Sequence, residues 1–120
     1  MLAIVFLGLN NMMDKLAFVL AHFNEDRVYH NGEYYRLKQF DDDTYELEVS
    51  ISGACGTFES HPAIKFKIMP ESNQVLFLSY RDVVANPMKF FKPETEAELD
   101  FVRLAFEQLV DKCNQVKSSS

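Results

Sequence analysis

Tryptophan is absent from this 120-residue chain, and glycine, proline and cysteine are scarce, at four, four and two residues. So little glycine and proline excludes a collagen-like or low-complexity chain. Cys55 and Cys113 are too few and too far apart for a disulfide framework or a Cys-x-x-Cys zinc site, so two free thiols in a reducing, cytoplasmic compartment are expected. Positive charge is also short. Twelve Lys and Arg against 18 Asp and Glu leave a formal net charge of −6. That argues against sequence-independent nucleic-acid binding, which needs a basic face, and favours a basic protein partner.

The longest apolar opening, Met1 to Leu9, is too short to span a bilayer and lacks the basic region and small-residue cleavage site of a secretory signal. No membrane partner is expected. Ile4, Val5 and Phe6 favour a strand, which leaves three readings of residues 1–10. They form an extra buried or edge strand, a translated leader ahead of Met12 or Met13, or a strand traded across a homodimer.

What the chain has in quantity is apolar and aromatic side chains: 48% hydrophobic residues, with 11 Phe and five Tyr. One core dominated by rings follows, and the length suits a single domain over 1–120. Met12, Leu16, Val19, Leu20 and Phe23 recur at helical spacing. Val28 to Leu37 around Asn31-Gly32 reads as a β-hairpin, since Asn-Gly supplies the positive φ angles of a type I′ turn. After the turn Asp41-Asp42-Asp43, Tyr45, Leu47, Val49 and Ile51 alternate with Glu46, Glu48, Ser50 and Ser52, a strand with a wet face. Gly53 and Gly56 bracket a bend, His61-Pro62 opens a strand through Ile64, Phe66 and Ile68, and Val75 to Leu78 forms one that is central or covered on both sides. Residues 86–93 read as a connector locked to the core by Phe90 and Phe91. Thr95 to Glu98 is a capping box for a final helix whose buried stripe is Leu99, Val102, Phe106, Leu109, Val110 and Cys113; Ser118 to Ser120 is a frayed tail. The expected fold is therefore α+β: an antiparallel meander of four to five strands, with N- and C-terminal helices packed on one face. A helix followed by such a meander recurs in cystatin-like rolls and secretion chaperones, a likeness that names no activity.

Constellations with chemistry are sparse. Cys55 and His61 are the nearest pairing of nucleophile and base, but small residues around a bend explain them as well. The Asp41–Asp43 run lacks the glycine and the glutamate of a calcium loop, and His22, His30 and His61 have no ligand-spaced partner. Tyr29, Tyr34, Tyr35, Arg36, Lys38 and Arg81 mix rings and cations, but hairpin aromatics more often pair across strands than stack bases. Glu46 and Glu48 facing Lys65 and Lys67 would make a solvent-side charge ladder. No catalytic residue, cofactor or metal is assigned.

The leading expectation is a non-enzymatic, small acidic protein-interaction module (adaptor, inhibitor or chaperone-like), working as a homodimer through a surface that includes Ile4, Phe6, Phe90 and Phe91. The rival is a small-molecule-binding or catalytic helix-in-curved-sheet fold, its aromatic-lined pocket holding Cys55, His61 and Tyr80. A deep pocket enclosed between helix and sheet would favour the rival; a filled interior with an exposed apolar patch favours the module.

Overall fold

Asn31 and Gly32 take φ of 50° and 85°, the left-handed values their turn requires, and from this hairpin an antiparallel sheet unrolls. The computed structural model describes residues 4–6, 10–69, 71–72 and 74–118, with 4–6 and 10–11 described by backbone alone. The order is β1 (Ile4–Phe6), α1 (Asn10–His22), β2 (Val28–His30), β3 (Glu33–Gln39), β4 (Thr44–Ser52), β5 (Phe58–Met69), β6 (Gln74–Asp82), β7 (Lys89–Phe91) and α2 (Glu96–Ser118). A single 3-10 turn, Ala54–Gly56, links β4 to β5.

Strands β2 to β6 lie side by side in sequence order, and the outer edge of β6 is shared by two short segments. β1 pairs with residues 74–76 and β7 with residues 80–82. The fold is the expected α+β arrangement, with a sheet wider than four to five strands. The difference comes from β1 and β7, three-residue pieces too short to show alternation. β7 also corrects the reading of 86–93 as a plain connector. Residues 4–6 pair with the chain's own β6; the burial of side chains 1–11 lies outside the described residues.

Both helices cover one face. Leu16 and Val19 of α1, Phe23 just after it, and Val102, Phe106, Leu109, Val110, Cys113 and Val116 of α2 join one cluster with Tyr35, Leu37, Leu47, Val49, Ile64, Phe66, Val75 and Phe77 of the sheet. Phe106 meets Phe66 and Phe77 edge to face at 4.8 and 5.2 Å between ring centres, an arrangement that aromatic quadrupoles favour. Lys15 of α1 bonds Asp111 of α2 at 2.6 Å, and the Asn114 amide donates to the Lys15 carbonyl. The capping box forms: Glu98 Oε1 accepts from the Glu94 and Thr95 amides, and Thr95 Oγ1 accepts from the Glu98 amide.

The opposite sheet face departs from expectation. Glu46 and Glu48 are not wet: both are buried, Glu48 to 3% exposure. Glu46 does stand opposite Lys65 in register, but the carboxylates pair with Arg27, Arg36 and Arg81 instead. The guanidinium groups reach over the strands and bring their own donors, which an ammonium on a neighbouring strand supplies less well. Nor is β6 covered evenly, since Val75 and Phe77 are fully buried but Leu76 and Leu78 only half so.

Candidate functional site

Pro87 and Pro93 bracket β7, and its alternation sends adjacent phenylalanines to opposite faces. Phe91 turns inward, 5.4 Å from the Tyr80 ring and 6.2 Å from Phe101. Phe90 turns outward and is 75% exposed, beside Met88 at 70%. Of the two residues expected to anchor the connector, only Phe91 does so. Next in the chain, the capped first turns of α2 present Phe101 and Leu104, both exposed. An open cleft of about 470 Å³ lies between strand and helix, lined by Met88, Lys89, Phe90, Phe91, Glu98 and Phe101. Monomer surfaces rarely gather this many large apolar groups without use. The topology also brings the backbone of Ile4 and Phe6 to the same edge of β6 as Phe90 and Phe91; the side chains of Ile4 and Phe6 lie outside the described residues. Met88, Phe101 and Leu104 were not singled out by sequence. Phe101 and Leu104 fall off the buried stripe of α2, and that was their only signal.

A second cleft, smaller and polar, opens at about 190 Å³ between the middle of α2 and the sheet, lined by His61, Tyr80, Asp82, Gln108 and Lys112 among others. Asp82 is buried and accepts from three donors: His61 Nδ1, shared between its two oxygens at 2.8 and 2.9 Å, and the Val84 and Ala85 amides at 3.0 and 2.9 Å. An ionised carboxylate can only accept a hydrogen bond, so His61 Nδ1–H is the donor and Nε2 is the ring's remaining position. Burial and then the charge of Asp82 push the Tyr80 hydroxyl up to about 12, so it stays a donor at neutral pH. Alongside, Lys112 bonds Glu33 at 3.0 Å and the Tyr35 hydroxyl donates to Glu33 at 2.8 Å. Burial alone would raise the Glu33 carboxyl, but its bonds to Lys112 and Tyr35 outweigh that and hold it low.

His61 and Tyr80 share this cleft, and Cys55 is not among the residues lining it. Cys55 sits exposed in the 3-10 turn at φ 59°, and His61 gives its Nδ1 to Asp82. Asp82 was missed because its partner lies 21 residues away. Cys113 is buried on the inner face of α2, its thiol pushed up to about 12 by that burial, and both cysteines are free. Among the described residues no cluster of three or more His, Cys, Asp or Glu is placed to hold a metal ion, and no helix is long and apolar enough to cross a membrane.

No protein-family model, curated protein or solved structure matches this chain.

Proposed function

We propose that this chain is a non-enzymatic protein-interaction module, an adaptor, inhibitor or chaperone-like protein that works as a homodimer in the cytoplasm. The supporting observation is the apolar surface on β7 and α2, where Met88, Phe90, Phe101 and Leu104 are all exposed beside a helix–sheet interior filled by Phe66, Phe77 and Phe106. A ligand-binding roll would keep that interior open; here the open space is at the edge, where another chain has access. Two unbridged cysteines suit a reducing compartment. The acidic start of α2, with Glu94, Glu96, Glu98 and Asp100, gives a protein partner a basic complement to match.

Sedimentation velocity and partner capture with the full chain test this. A Phe90→Ser, Leu104→Ser double variant should keep its circular dichroism spectrum and lose both assembly and captured partners. If it kept both, the surface would not be the working one.

A second reading, a small-ligand pocket, has one observation in its favour: a buried Asp82 fixing His61 at the mouth of a polar cleft. Shifts of the His61 ring resonances on titration with a small-ligand library would support it.

A further inference from the structure

Resting on the reading of this chain as an interaction module, we propose that the occupant of the β7–α2 surface is a second copy, joined by antiparallel pairing of β7 with its counterpart about a two-fold axis through Phe90. β7 pairs with β6 along one side, and among the described residues no strand pairs with its other side. An open edge is a template for strand addition.

A two-fold pairing centred on Phe90 sets Phe90 opposite itself and Lys89 opposite Phe91 of the other copy. Residues facing each other across an antiparallel pair share a sheet face. Phe90 stands opposite Arg81 in the existing register, on the face away from the helices. Lys89 stands opposite Asp82, and its ammonium lies 5.7 Å from the Phe101 ring of α2, on the helix side. In the pairing, Lys89 of each copy therefore enters the other copy's cleft, where the chain leaves β7 for Glu94 and the first turn of α2.

That first turn is the complement. Glu94 and Glu96 are exposed and have no ion pair among the described residues, and Glu98 lines the cleft itself. A lysine on an edge strand ordinarily discourages pairing. Here each lysine meets carboxylates of the other copy, and two-fold symmetry makes the exchange twice. Both phenylalanine rings leave water at the same contact. The result is one continuous sheet with all four helices on one face.

Cross-linking and charge exchange, read by sedimentation and non-reducing gels, test the geometry. In a Cys55→Ser background, Phe90→Cys should form a disulfide dimer on mild oxidation, because residues opposite each other in an antiparallel pair have Cα atoms about 5 Å apart. Met88→Cys should not, since the same register separates those positions by roughly 13 Å. Lys89→Glu and Glu94→Lys should each weaken self-association about tenfold or more, and mixing the two variants should restore it, each lysine then facing a glutamate. A dimer that resists both charge changes and does not cross-link at position 90 overturns the β7 pairing while leaving a homodimer through another surface. A chain that sediments as a monomer yet loses its captured partner on Phe90→Ser, Leu104→Ser overturns the second copy as occupant and leaves the module reading standing.

Discussion

Arg36 on β3 and Glu48 on β4 stand directly opposite each other, and the guanidinium Nε donates to Oε1 at 2.7 Å. The row continues across the sheet through Ala63 on β5 to Arg81 on β6. Ala63 has only a methyl group, and this leaves room for Arg81 to reach Glu48 at 3.7 Å and Glu46 at 3.4 Å. Arg27 adds a contact to Glu48 at 3.4 Å and lies 4.0 Å over the Phe58 ring, and the Ser60 hydroxyl donates to the second carboxylate oxygen. One buried acid thus ties four strands and the loop after α1 together.

Removing that acid strips Arg27 and Arg36 of their carboxylate and leaves Arg81 with Glu46 alone. Glu48→Leu should therefore destabilise by about 3 kcal/mol, toward the low end for a broken buried pair because the arginines keep part of their side chains in water. Ala63→Leu, which blocks the reach of Arg81, should cost about 1–3 kcal/mol through overpacking. Urea midpoints check both; a Glu48→Leu midpoint equal to wild type would mean the cluster contributes nothing net.

Gly32 at φ 85° has nothing within 4 Å of where a Cβ would stand, so a substitution there is opposed by backbone conformation alone. Gly32→Val should lower stability by roughly 1 kcal/mol or more. Gly32→Asn should be milder, because asparagine tolerates the left-handed region. Equal losses for the two would point to a steric cause instead.

Acid should unfold this chain through a small set of carboxyls. Asp41 is held low by the amides of Asp43 and Thr44, and Glu98 by those of Glu94 and Thr95. Glu33, raised by burial but lowered further by Lys112 and Tyr35, ends below its ordinary value of 4.5. A carboxyl whose folded value is depressed contributes stability that is complete above its unfolded value and is lost as pH falls through the folded one. The stability these carboxyls contribute should thus be complete above about 4.5 and fall as the pH drops below it. Glu33→Gln should lower the neutral plateau and flatten the acid limb, measured by urea midpoints across pH. An unchanged limb would remove Glu33 from the set.

Local signals were legible in sequence and long-range ones were not. Asn31-Gly32 and the Thr95–Glu98 capping box act within a few residues, and each forms as its sequence demands. The helix–sheet core followed from period alone. Glu46 and Glu48 misled because alternation says which side of a strand a residue faces and not whether Arg81, 35 residues from Glu46, will cover it. Lys89 to Phe91 is too short for a pattern, so the strand carrying the candidate surface was hidden. Of the polar cleft, His61 and Tyr80 were found and Asp82 was not, for the same reason of distance in the chain.

The two cysteines should differ sharply in reactivity. Cys55 is exposed on its turn and Cys113 is buried among the α2 core residues with its thiol pushed up to about 12. Thiolate is the reacting form, so burial slows Cys113 twice, by access and by ionisation. A thiol reagent at neutral pH should modify one cysteine per native chain and two in denaturant. Mass spectrometry should place the native adduct on Cys55. Its rate should match that of a small exposed thiol, since the nearest candidate base in the sequence, His61, is bound to Asp82. Labelling many times faster would mean that some group activates Cys55, and it would move the chain toward the enzyme reading. Native labelling of Cys113 would mean that α2 opens from the sheet without global unfolding, and the filled interior would then be only one state of the molecule.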